Sequence, residues 1–157
     1  MNNKEFFDMF KEFIVEQCIE HENEDLWIYY EILKQYKNKG EIQEMIYNCN
    51  NILNIRYDIP DKYNYGTDGT IIIDADNGVS YEIILCCYGT YSINIKKISY
   101  YNILTFDESK YDDLQQEWLN EIEEMKTLHI QNKINTINNT ISELNTEKEK
   151  LCNELNK

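Results

Sequence analysis

The chain has 157 residues, with 15 Lys+Arg against 29 Asp+Glu for a formal net charge of −14, and it is 42% hydrophobic and 13% aromatic. That length and apolar content suit one domain with a true core and argue against disorder, while the charge disfavours direct binding to nucleic acid or an anionic membrane. No stretch reaches the roughly 18 consecutive apolar residues of a membrane span, and Met1–Asp8 lacks the basic and apolar regions of a secretory signal.

The first 54 residues predict three helices. Phe6, Phe10, Phe13, Ile14 and Cys18 recur at three- and four-residue spacing with acids on the other faces, an amphipathic helix over residues 3–20. Leu26, Tyr29, Tyr30, Leu33 and Tyr36 mark a second helix over 25–38, which Asn38-Lys39-Gly40 is expected to end as a C-cap. Ile42, Met45, Ile46, Cys49, Ile52 and Leu53 outline a third over 41–54. Pro60 disfavours helical geometry at Ile59, so the chain leaves helix there.

Residues 68–105 predict a sheet. Thr70–Asp74 and Val79–Cys87 flank Asp76-Asn77-Gly78, a hairpin signal because Asn and Gly tolerate positive φ. Tyr91, Ile93 and Ile95 alternate with Ser92, Asn94 and Lys96, and Ser99–Thr105 reads as a further strand. The expected fold is α+β, with the N-terminal helices packed on a three- or four-stranded antiparallel sheet.

From Tyr111 onward there is neither Gly nor Pro, so long helix follows. Residues 109–127 close a single domain over 1–127, with Leu114, Trp118, Ile122 and Met125 facing it. Ile130, Ile134, Ile137, Ile141, Leu144, Leu151 and Leu155 then alternate by four and three residues, with Lys148 the polar member of the series. This is the 3.5-residue repeat of a coiled coil over residues 130–157, and a homodimer through that segment is its simplest use. The phase changes near Leu128-His129, where a bend or slip is expected.

The charge is clustered. Residues 1–31 hold nine acids and two lysines, a net of −7, and residues 108–124 hold seven acids and one lysine, a net of −6. Glu16, Glu20, Glu24, Asp25, Asp112, Asp113, Glu117, Glu121 and Glu124 are the candidate partner-binding acids if these helices lie side by side. Such a face steers basic partners towards itself and can occupy a groove kept for phosphates. Tyr63 and Tyr65, in the loop before the sheet, add rigid apolar area with a hydrogen-bonding tip.

Other chemistry is poorly supplied. The chain has one arginine (Arg56), two histidines (His21, His129), no Gly-rich phosphate loop and no nucleophile or zinc-protease motif, so no catalytic residue is assigned and no enzyme is expected. Asp74-Ala75-Asp76-Asn77-Gly78 departs from a calcium loop, with glycine one place early and Leu85 at the position of the bidentate acid. Cys18 and His21 stand three apart, but no second close pair completes a zinc site; neither metal nor cofactor is expected. Five cysteines, an odd number with Cys86 and Cys87 adjacent, point to a reducing compartment, the cytoplasm of a cell or infected host. The excess of Tyr, Ile, Asn and Lys over Arg, Ala and Pro reflects A/T-rich codons, as in a low-GC bacterium or its phage.

Small size, this composition, clustered acidity and the missing catalytic residues resemble phage-encoded anti-defence proteins, anti-CRISPRs among them. The resemblance implies a cytoplasmic inhibitor that binds a CRISPR–Cas or other nucleic-acid-handling effector with a basic surface and blocks its groove or its assembly. Separately, Ile59-Pro60-Asp61-Lys62-Tyr63 and Glu117-Trp118-Leu119-Asn120-Glu121 are similar to pieces of the SMI1/KNR4 type of toxin-immunity protein, which implies an antitoxin bound to one toxin domain. A small nucleotide-acting enzyme is the third reading.

Overall fold

The computed structural model describes residues 1–21, 24–49, 52–59, 67–76, 78–86, 91–97 and 100–156. By packing, the chain divides into two units, Met1–Trp118 and Leu119–Lys157.

In the first unit, helix α1 (Asn3–Glu20) starts with a capping box. The Glu5 amide donates to the Asn2 side chain at 2.9 Å, and the Asn2 amide donates to the Glu5 carboxylate at 3.0 Å. Its buried stripe is Phe6, Phe7, Phe10, Ile14, Val15 and Cys18, broader than predicted because both flanks are covered; Phe13 is only half-buried. A 3-10 turn (Glu24–Leu26) leads into α2 (Trp27–Gln35), and α3 (Gly40–Asn48) follows.

Two boundaries differ from expectation. Helix α2 ends at Gln35, where the Tyr36 amide is shared among the carbonyls of the last turn, and Gly40 opens α3 instead of capping α2. Helix α3 stops at Asn48, so Ile52 and Leu53 belong to a strand, β1 (Ile52–Asp58), and the predicted helix to residue 54 is overturned. The spacing of Ile52 and Leu53 fits either element locally; a ladder with the next strand decides it, since strand formation depends on partners more than on propensity.

Among the described residues the sheet therefore has five strands: β1, β2 (Thr67–Ala75), β3 (Ser80–Cys86), β4 (Ser92–Lys97) and β5 (Tyr100–Thr105). They form an antiparallel meander in sequence order. The β2–β3 hairpin closes through the Gly78 amide on the Ala75 carbonyl (3.1 Å) and the Ala75 amide on the Val79 carbonyl (2.9 Å). Gly78 sits at φ +78°, left-handed backbone that glycine adopts without penalty. Gly69, at φ +136° beside the β2–β3 irregularity, has the Tyr57 ring lying where a Cβ would stand, so any larger residue is both strained and obstructed there.

One face of the sheet is core. Ile71 pairs with Ile83 and Ile83 with Ile95, and Leu85 pairs with Ile93 and Ile93 with Leu104, all buried. Helix α2 packs on β4 and β5, and α1 packs on α2 and α3, giving two layers. The fold is α+β, with N-terminal helices, an antiparallel sheet and a long C-terminal helix.

That last helix, α4 (Tyr111–Leu155, 45 residues), follows a second 3-10 turn at Glu108–Lys110. It runs without a break through Leu128-His129, since a change of hydrophobic phase leaves the backbone ladder intact where no Gly or Pro interrupts it. Within α4, Trp118 and Ile122 are buried, while Leu114 and Met125 are half-buried. Among the described residues no helix is long and apolar enough to cross a membrane.

Candidate functional site

The acids that open α4 stand on an aromatic clamp. Trp27, fully buried at the start of α2, stacks on Trp118 with centroids 6.3 Å apart and meets Tyr111 at 5.7 Å and Phe106 at 5.9 Å. The Tyr30 ring meets Trp118 edge-on at 5.2 Å, and Lys11 of α1 places its ammonium 5.2 Å from the same indole, a cation–π contact. Polar tips fix the rest. Trp118 Nε1 donates to the Glu31 carboxylate at 3.1 Å, and Lys34 Nζ lies 3.6 Å from the same oxygen. The Tyr111 hydroxyl donates to Asp25 at 3.2 Å and accepts from Gln115 Nε2 at 3.0 Å. Burial, and then the Asp25 charge, push the Tyr111 hydroxyl up to about 12, so it remains a neutral donor throughout the physiological range.

This clamp ties one member of the first predicted cluster to the start of the second. Asp25, from the turn after α1, is tied to the first turn of α4, where Asp112 and Asp113 are exposed, and Glu117 is exposed one turn on. Glu16 lies elsewhere: with Glu12, Met9 and Phe13 it lines a shallow depression against Ile52–Ile55 of β1, on the flank of α1 away from Lys11. Glu20 is exposed at the C-terminus of α1. Glu24 is in the 3-10 turn, but its side chain, like Tyr63 and Tyr65, lies outside the described residues. In the second unit Glu124 is exposed and Glu121 half-buried.

Sequence reasoning missed Trp27, Trp118, Glu31 and Lys11 as the residues that position these acids. The contacts between Glu31 and Trp118 span 87 positions, and no local spacing announces them.

The second unit carries the predicted seam. Ile130, Ile134, Ile137, Ile141, Leu144, Leu151 and Leu155 are all exposed, by 44% to 86%, along one side of a single helix. Isolated large apolar residues on a surface need no explanation; here seven follow one another along one side of the helix.

Elsewhere Arg56, Asp74, Cys18 and Cys49 are engaged or withdrawn. Arg56 divides its guanidinium between Asp58 (3.2 Å) and Asp74 (3.4 Å), and Ser80 donates to Asp74 at 2.6 Å. The Ser80 and Arg56 bonds hold the Asp74 carboxyl below its ordinary range, so this acid belongs to the sheet edge and its hairpin. Among the described residues, no three His, Cys, Asp or Glu side chains are grouped to hold a metal ion. Cys18 and Cys49 are buried. Burial, reinforced by the Asp76 charge, pushes the Cys49 thiol up to about 11, leaving roughly a thousandth of it as thiolate at pH 8. A thiol-exchange reagent at that pH is expected to modify exposed Cys152 quickly, a phase that Cys152→Ser removes, and to reach Cys49 only in denaturant. Modification of Cys49 at the Cys152 rate in the folded protein would contradict its burial.

No protein family, curated protein or solved structure matches the chain.

Proposed function

We propose that the protein acts without catalysis, by binding other proteins: its C-terminal helix pairs with a second copy of itself, and its carboxylates engage a partner with a basic surface. The observation that carries this reading is the exposed aliphatic stripe from Ile130 to Leu155, interrupted only at Lys148, a surface suited to another helix. The exposed Asp112, Asp113 and Glu117, held by the clamp beside Asp25, set the sign of the second partner.

In its most specific form the protein is a cytoplasmic anti-defence inhibitor. Its acids stand in for phosphates in the groove of a CRISPR–Cas or other nuclease effector, as the compositional resemblance implies. Carboxylates present the same Lys and Arg side chains with charge of the same sign as nucleic acid, so the two ligands compete.

The test is binding of the full chain to purified effectors of this class, with and without their nucleic acid, from about 50 to 300 mM salt. Affinity is expected to fall steeply with salt, to vanish when the groove is filled, and to weaken about ten-fold or more when Glu117, Glu121 and Glu124 are all replaced by lysine. Salt-independent binding, or binding undisturbed by bound nucleic acid, would overturn the groove mechanism.

A further inference from the structure

The stripe on α4 has two flanks, and their charges are ordered. In heptad terms Ile130, Ile137, Leu144 and Leu151 occupy d, while Ile134, Ile141, Lys148 and Leu155 occupy a. The flanking e positions, Gln131, Asn138, Asn145 and Cys152, carry no formal charge. The flanking g positions read Lys126, Lys133, Thr140, Glu147 and Glu154, two cations, a neutral centre and two anions.

We infer that two copies of the helix pair antiparallel about an axis near Asn139, so that Lys133 faces Glu147 and Lys126 faces Glu154 of the other copy. This inference rests on the self-association proposed above and assigns its direction and register.

The physical argument compares the two directions. In a parallel pair g faces e of the partner, so Lys133 would meet Asn138, Thr140 would meet Asn145, and Glu147 would meet Cys152. None of these is a charge pair. The same arrangement stacks Lys148 on its own symmetry mate, two like charges inside the seam. In an antiparallel pair g faces g. The series of five is then complementary to its own reverse, which gives four opposite-charge contacts per dimer around a Thr140–Thr140 centre.

The core layers that follow from this register agree with it. Ile134 meets Leu144, Ile137 meets Ile141, and Lys148 meets Ile130, where its aliphatic stem covers the isoleucine and its ammonium reaches solvent. Isoleucine at both a and d from 130 to 141 would instead favour three strands in a parallel bundle, so the charge pattern and the strand number are tested together.

Three measurements on the full chain decide the matter. With a spin label on the exposed Cys152, the distance peak that Cys152→Ser abolishes is expected near 40 Å, from the helical rise between position 152 and its mate. At about 50 mM salt, Glu147→Lys with Glu154→Lys should weaken the dimer at least ten-fold, and so should Lys126→Glu with Lys133→Glu. Mixing those two variants, or joining all four changes in one chain, should restore association. A dimer whose Cys152 peak falls within about 20 Å, or one indifferent to the charge reversals, overturns the antiparallel register while leaving self-association standing. A trimer in sedimentation also overturns it. A monomeric wild-type chain overturns the self-association reading itself.

Discussion

Replacing Trp27 by alanine is expected to lower the free energy of unfolding by about 3–5 kcal/mol, the range for removing a large aromatic from a closed core. Trp27 is 0% exposed and joins three elements, meeting Trp118 and Tyr111 of α4 and Phe106 after β5. Truncation deletes those contacts together, and the remaining rings belong to different elements, so collapse into the space is partial. Against a total stability of about 5–15 kcal/mol this is a large fraction. In urea, followed by far-UV circular dichroism, the midpoint should fall by about 2 M for a slope of roughly 2 kcal/mol/M. Trp27→Phe separates packing from polarity. Among the described residues Trp27 Nε1 has no hydrogen-bond partner. Phenylalanine gives up some area but also removes that unsatisfied donor, so its loss should stay below about 2 kcal/mol. A midpoint shift under about 0.5 M for Trp27→Ala would mean the clamp does not secure the start of α4.

The elements legible in the sequence were those whose signal is local. Helix α1 shows its apolar stripe within twenty positions, the β2–β3 hairpin is announced by Gly78, and β4 by the alternation of Ile93 and Ile95 with polar residues. The register of β3 and β4 follows from the same alternation, because a slip by one residue would turn Ile83, Leu85, Ile93 and Ile95 out of the core. What was not legible depended on distant partners. Strand β1 is a strand because β2 offers it a ladder, while Gly40 carries a stop signal that acts only if the preceding helix reaches it.

The same distinction applies to the site. Charge clustering is a property of composition, so the acids could be named from the sequence, but their arrangement could not. Asp25 reaches α4 through a hydrogen bond across 86 positions, and Glu16 turns towards β1 because α1 presents its other flank to Trp118 through Lys11. The coiled-coil seam is the opposite case: its period lies within one helix, and every apolar member is exposed there.

Ile137→Asp is expected to convert the protein from a species of about twice 18.9 kDa to a monomer of that mass in light scattering. Ile137 lies near the middle of the stripe, 58% exposed in the single chain, and pairing would bury it against the partner helix. Symmetry places the change twice in each dimer, so two carboxylates would enter an apolar seam without partners, and each such burial is worth several kcal/mol. Loss of about 5 kcal/mol or more weakens association over a thousand-fold, beyond rescue at micromolar concentration. Helix content should fall as well. Residues 128–156 contain seven asparagines and no alanine, a composition of modest intrinsic helicity, so the proposed pairing would supply much of the order in this segment. Ile137→Leu, which keeps the apolar volume, should remain dimeric, and that pair of variants separates loss of the seam from any general effect of substitution. The Met1–Trp118 unit contributes none of these seam residues, so its urea midpoint should be unchanged in Ile137→Asp. A variant that keeps the wild-type dimer mass would place the interface elsewhere on the molecule.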